Sequence, residues 1–227
     1  MKVDLGRISA LLDYALVDAS LFVLALTHRS AGSPNNERLE FLGDAVLDLV
    51  VAQDLYDRFP TADEGELSRM RSVLVRGDNL AKLARRLNIA DHILLGTGEL
   101  KSGGHRRCSI LAGVLEALIG AIYLDGGFDA SAKFIRAIYA SEYDEMSLKD
   151  AVKDPKTRLQ EYLQSRRLDL PVYNVLNISG DGHQQTFEAE CRVEALTESA
   201  VGYGASRRKA EQQAAAQLLQ QLTGADE

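Results

Sequence analysis

The chain carries only two cysteines in 227 residues, Cys108 and Cys191, isolated and in no metal-ligand spacing. That suits a reducing cytosol and removes cysteine metal sites from consideration. A long hydrophobic run is also missing. The longest apolar stretch, residues 110–124, is shorter than a bilayer span and contains Glu116, so it reads as a buried helix and no membrane partner is expected. There is no Arg-rich amphipathic start and no charged segment leading into an apolar signal core, so the expectation is a cytoplasmic, non-secreted protein. Internal repeats and low-complexity tracts are absent. A surplus of positive charge is absent too: the net charge is −7, residues 1–153 carrying 18 basic against 22 acidic side chains and residues 154–227 carrying 8 against 11. Neither part is a basic domain, so any nucleic-acid contact must come from local clusters.

What is present is an ordinary globular composition, 46% apolar and 26% charged, in a chain long enough for one large domain or two modest ones. Residues 5–17, 21–27, 37–58, 64–75, 78–87, 109–124 and 129–143 all have helical spacing or helix-start signals. Thr61-x-x-Glu64 has the form of a capping box, and Ser109 and Asp129 are candidate N-caps. No run in this half alternates long enough to be a strand. The glycine-rich segment 96–104 lacks the Gly-Lys-Ser/Thr ending of a P-loop and reads as turns. After the polar connector 147–153 the character changes. Asp154-Pro155 opens a helix through about residue 165, residues 172–178 form a strand candidate, and 179–182 are a turn. From Thr186 the alternation is strict, Phe187, Ala189, Cys191 and Val193 being apolar between polar neighbours, as a half-buried antiparallel strand requires. A short strand at 201–203 and an Ala/Gln-rich helix at 206–222 complete an α-β-β-β-α order.

The segment 36–48 carries the chemistry. At 100° per residue Glu37, Glu40, Asp44 and Asp48 fall within an arc of roughly 80°, with Leu39, Leu42, Val46, Leu49 and Val50 on the opposite side. Acids at i,i+3 and i,i+4 repel one another, so such a row is either a solvated face or a site for a hard cation such as Mg²⁺. Glu116 sits mid-way along an apolar helix, where an unpaired carboxylate is costly. It either forms a buried salt bridge with an arginine or joins the acid row, and Ala112, Gly113 and Gly120 on its face allow another helix to come close. Phe41 projects on the acidic side, away from the aliphatic stripe, as a stray surface residue or an interface anchor. His28, in Leu-Thr-His-Arg-Ser, lacks a nearby nucleophile and reads as a structural hydrogen-bonding residue. His92 and His105 read in the same way.

The run Glu37-Arg-Leu-Glu-Phe-Leu-Gly-Asp44 resembles, without a gap, the signature segment of ribonuclease III, and later segments match in order over almost the whole chain. The resemblance implies an all-α endonuclease domain over residues 1–147, a linker at 148–153 and a small α+β double-stranded-RNA-binding domain over 154–223. It implies hydrolysis of duplex RNA to 5′-phosphate and 3′-hydroxyl ends, with Mg²⁺ as cofactor, Mn²⁺ as its substitute and no small-molecule cofactor. Ribosomal RNA precursors and structured messenger RNAs are the implied substrates. Asp44 and Glu116 take the place of two essential carboxylates and Glu40 that of a metal ligand. Glu37 and Glu64 take the place of acids near the scissile strand, although an N3 position in the Thr61 box would also account for Glu64. Asp48 has no implied role and reads as solvated. The implied homodimer seats Phe41 in a socket of the partner. One position departs from the pattern: Gly113 stands where the family usually has an aspartate, so a metal ligand is missing, and the alternative is an RNA-binding regulator with weak or no cleavage.

In the second domain Ser206-Arg207-Arg208-Lys209 places three cations in the first turn of a helix, a conflict with the positive end of the helix dipole that a docked anion would relieve. The resemblance implies a phosphate clamp there, with Glu211 where the motif often has a final lysine. It also implies minor-groove contacts to RNA from Thr157, Gln160, Glu161 and His183.

Overall fold

The computed structural model describes residues 3–146, 154–180, 185–194 and 196–224. The chain divides into two units, residues 1–151 and 152–227. The first is helical: α1 (Leu5–Leu12), α2 (Ala19–Ala25), α3 (Glu37–Arg58), α4 (Glu64–Leu74), α5 (Gly77–Arg86), α6 (Thr97–Lys101) and α7 (Cys108–Glu145), joined by short 3₁₀ turns. Among its described residues the β structure is a single isolated bridge between Thr27 and Leu94. The expected first helix, 5–17, is too long. Asp13 takes a left-handed conformation (φ 46°) and ends α1. The chain beyond it is recruited by Asp125, whose carboxylate accepts from Tyr14 Oη (2.9 Å), Val17 N (3.0 Å) and Asp18 N (2.6 Å). The segment expected to be plain glycine-rich turns contains α6.

Helix α7 is buried at every position from Ile110 to Ile122 except Glu116, as the reading of a buried helix required. Gly127, at φ 80°, breaks it where the sequence suggested a gap between two helices. It starts before the expected cap, with Arg107 as N-cap and Ser109 inside the first turn, and Asp129 lies beyond the break within the helix. The capping box of α4 is built by Asp63 and Glu66 rather than Thr61 and Glu64 (Asp63 N to Glu66 Oε2 2.8 Å, Glu66 N to Asp63 Oδ1 2.7 Å).

The central packing is α3 against α7, and it is backbone on backbone. A Cβ on Gly43 would lie 1.7 Å from the Glu116 carbonyl oxygen, and one on Gly120 would lie 2.3 Å from that of Leu39. This contact rotates the buried face of α3 from where the aliphatic stripe placed it. Leu39, Val46, Leu47, Val50, Val51 and Leu55 are buried, whereas Leu49 is 57% exposed. The acid row therefore borders the core instead of standing opposite it. Two buried acids elsewhere are paired, Asp54 with Arg136 (2.9 Å) and Glu142 with Arg86 (3.1 Å) and Lys82 (3.4 Å).

The second unit has the expected order, α8 (Pro155–Ser165), β1 (Val172–Ser179), β2 (Thr186–Arg192), β3 (Ser199–Gly204) and α9 (Arg207–Gly224), with an antiparallel sheet in the order β1-β2-β3. Cys191 pairs with Tyr173 on one side and Ala200 on the other, and the buried Ala189, Cys191 and Ala200 turn toward the helices. Gly202 lets α9 lie on β3, since a Cβ there would sit 2.3 Å from Ala214 N. Asp154 caps α8 through Thr157 N (3.2 Å) and accepts from Gln212 Nε2 (2.7 Å), while Lys156 N donates to Gln212 Oε1 (3.0 Å). The start of α8 is thus pinned to α9.

Candidate active site

A cleft of about 550 Å³ opens between α3, the start of α7 and the turn preceding α3. Helix α3 contributes Glu37, Glu40, Phe41 and Asp44 to its lining, and α7 contributes Ser109, Ile110, Gly113 and Glu116. The structure thus brings Glu116 to the acid row, and among the described residues no arginine or lysine pairs with it. Its carboxyl is pushed up to about 8, first by burial and then by the charges of Asp44, Glu40 and Asp48. Burial, with Glu37 and Asp44 adding to it and Arg29 opposing, raises Glu40. Asp44 is raised by burial and by Asp48. Mutual repulsion among half-buried acids is a standing cost, and a cation is what would relieve it.

The donor set suits a hard cation, being all carboxylate oxygen. Among the described residues no three acid, histidine or cysteine groups converge closely enough to enclose a metal ion. At the departing position, the Glu40 carboxylate lies against the bare backbone of Gly113, where a Cβ would stand 2.9 Å from its Cδ and Oε2. The space left by a missing side chain is thus filled by Glu40.

Other expected residues lie elsewhere. Glu64 is at the first position of α4, bonded by Ser68 Oγ (2.9 Å), and lines a separate apolar groove with Leu55, Tyr56 and Leu67. Asp48 is not simply solvated: its Oδ1 is buried without a hydrogen-bond partner. That follows from the acid row bordering the core. The lining also holds three residues that the sequence pattern did not place there: His28, Arg29 and Asn36. Arg29 lies 3.6 Å from Glu37. All three precede the acid row within ten residues, but only the fold of the intervening turn brings them over it.

In the second unit the basic turn is divided. Arg207 Nε donates to Glu211 (2.8 Å), which also takes Lys156 Nζ (2.7 Å), so Glu211 is buried and held below the usual carboxylate range by hydrogen bonds from Lys156 and Arg207, despite the opposing effect of burial. Ser206 Oγ accepts from Lys209 N (3.3 Å) as a cap, and Arg207, Arg208 and Lys209 are all exposed, Arg207 being the one tied to Glu211. Gln160 and Glu161 are exposed on α8, and Thr157 bonds Asp154 (2.9 Å). His183 lies outside the described residues, as do the connector residues 147–153.

The ribonuclease-III-like family pattern matches residues 18–143, and the double-stranded RNA binding motif matches residues 155–222. The chain is 54% identical to Ribonuclease 3 of Pseudomonas syringae pv. tomato over 96% of each chain, and 52% identical to Ribonuclease 3 of Vibrio campbellii over 98% of this chain and 99% of that one. The nuclease domain of ribonuclease III from Campylobacter jejuni matches with a TM-score of 0.61 at 41% identity, covering 65% of this chain and all of that one. The acid-lined cleft, the α-β-β-β-α unit and relatives of full length therefore agree: the chain belongs to the ribonuclease III family and is an endoribonuclease of double-stranded RNA.

Proposed function

We propose that this cleft hydrolyses phosphodiester bonds of duplex RNA with Mg²⁺, or Mn²⁺ in its place, leaving 5′-phosphate and 3′-hydroxyl ends. One observation carries the reading: Glu116, a half-buried carboxylate with no cationic partner among the described residues, faces Asp44 and Glu40 across the α3–α7 contact. These three would hold the metal. When bound, it supplies an activated water and charge stabilisation at the phosphoryl group. The chain's own residues fix the donor positions, because both helices meet through backbone at Gly43 and Gly120. Glu37, beside Arg29 in the cleft lining, would act near the scissile strand, and Glu64 would act there only from its separate groove.

The substrates are read as ribosomal RNA precursors and structured messenger RNAs in the cytoplasm. The working form is a homodimer. Phe41 is 79% exposed, and Leu49 and Tyr56 follow on the same side of α3, an apolar strip that free surfaces rarely keep. The Campylobacter jejuni protein has a region described as involved in dimer formation.

The rival reading, an RNA-binding regulator with feeble cleavage, rests on Gly113. Titrating Mg²⁺ and Mn²⁺ against duplex RNA with the natural chain and Gly113→Asp decides between them. If a ligand is missing, the new carboxylate lowers the Mg²⁺ midpoint for cleavage. Because it must share space with Glu40, it also lowers the melting temperature without metal and enlarges the rise on adding Mg²⁺. Saturated cleavage by the natural chain at ordinary Mg²⁺, with no shift in the variant, removes the rival.

Duplex binding by the second unit is assigned to Arg208 and Lys209. Changing both to alanine is expected to weaken binding and flatten its salt dependence by about one unit of slope for each phosphate no longer neutralised. Arg207→Ala should chiefly destabilise, since it leaves Glu211 with Lys156 alone. Filter binding across a salt series separates the two outcomes.

A further inference from the structure

His28 heads the 3₁₀ turn Arg29–Ala31 and lines the same cleft as the acids. Its backbone is fixed, His28 N donating to Leu94 O (3.1 Å). Its ring is fixed as well. Ser30 N–H donates to His28 Nδ1 (3.2 Å), and a backbone N–H can only donate, so Nδ1 carries no proton. Gly96 N donates to Ser30 Oγ (3.0 Å), which leaves the Ser30 hydroxyl hydrogen for Nδ1 at 2.8 Å. The glycine is required there, because a Cβ at position 96 would lie 2.0 Å from the Ser30 carbonyl oxygen. The glycine-rich segment that no phosphate-binding motif explained thus acts as the backstop of an imidazole. The ring is neutral, with its hydrogen on Nε2, and burial holds it below the ordinary histidine range. No described residue takes that hydrogen.

The electrostatics of the lining say what would take it. Four carboxylates face one described cation, Arg29, itself beside Glu37. A polyanionic strand entering such a cleft needs donors that do not themselves pair with the acids. A neutral N–H meets that need, whereas an imidazolium would be drawn to Glu99 or Glu37, the two carboxylates that act on the ring.

We propose that His28 is a phosphate-contacting residue of this cleft, its Nε2–H donating to a non-bridging oxygen of the RNA backbone while Ser30 and Gly96 hold the tautomer. The proposal rests on the cleft being the RNA cleavage site.

The test uses the full chain and a short RNA duplex under single-turnover conditions in Mg²⁺. His28→Phe should raise the half-saturating RNA concentration about ten- to a hundredfold, the effect of losing a hydrogen bond to a charged group, with a smaller change in maximal rate. His28→Gln, whose amide N–H can reach the same place, should restore most of it. In an Asp44→Asn background, duplex binding should fall by the same factor in His28→Phe with an unchanged salt slope, since a neutral donor releases no counterion. Long-range ¹H–¹⁵N spectra of the natural chain should report the Nε2–H tautomer. Any of the following would overturn the assignment: wild-type saturation in His28→Phe, a glutamine variant as impaired as phenylalanine, loss confined to maximal rate with an altered pH profile, or an Nδ1–H tautomer. Cleavage persisting in Asp44→Asn would instead count against the acid cluster, with the binding arm still reading His28.

Discussion

Glu116→Gln is expected to lower cleavage of duplex RNA by at least about a hundredfold while making the metal-free protein more stable at pH 8. The two effects have one cause. In the natural chain burial and neighbouring acids hold the Glu116 proton up to about pH 8, against an ordinary value of 4.5. Between those values the folded chain keeps a proton that the unfolded chain releases, so stability falls as pH rises from 4.5 to about 8 and is level above. The loss is on the order of a few kcal/mol, since a tenfold change in proton affinity is worth about 1.4 kcal/mol. Glutamine carries no charge to bury, so its melting temperature should lose this slope and exceed that of the natural chain most at pH 8. Adding Mg²⁺ should narrow the gap by stabilising the natural chain alone. Thermal melts across pH, with and without Mg²⁺, read both effects. A variant that is less stable than the natural chain at pH 8, or that cleaves normally, is incompatible with this account.

Gly43→Ala should be the most damaging small substitution in the first unit. The added methyl would meet the Glu116 carbonyl oxygen at 1.7 Å and Gly120 N at 2.9 Å, and both are backbone atoms of a buried helix that cannot step aside. Alanine normally favours a helix over glycine by up to about 1 kcal/mol, so a destabilisation of about 3 kcal/mol or more must come from prising α3 from α7. Gly98→Ala, with nothing within 4 Å, is the control and should be neutral or slightly stabilising. Cleavage by Gly43→Ala should also fall where the domain is still folded, because Asp44 moves relative to Glu116. Equal melting temperatures for the two variants would refute the close approach.

The acid row was readable because helical spacing alone groups Glu37, Glu40 and Asp44, and the α-β-β-β-α unit because strict alternation in β2 has one interpretation. The face that the row occupies was not readable. Summing apolar positions on α3 counted Leu49 as core, whereas the glycine contact at Gly43 turned the buried face toward Leu47 and Val51. Local ends were misplaced where two signals competed, as with the boxes starting at Thr61 and Asp63. His28 was readable as a hydrogen-bonding residue, but its place in the cleft escaped because Leu94 and Gly96, which fix its surroundings, lie more than sixty residues away in sequence. The engagement of Glu211 by Arg207 and Lys156 was hidden for a related reason, one partner sitting on a different helix.

The meeting of α3 and α7 at bare backbone has a consequence for how this nuclease can change over time. Where side chains set the distance between helices, each exchange of a leucine for a valine in the interior shifts it by a fraction of an ångström. Here Gly43 and Gly120 act as a fixed gauge, with peptide groups touching peptide groups. The hydrophobic interior can therefore drift through many sequences while Asp44 and Glu116 keep their separation. Evolutionary freedom in the core and constancy at the cleavage site become compatible because the two are decoupled at a pair of residues that have no side chain to vary.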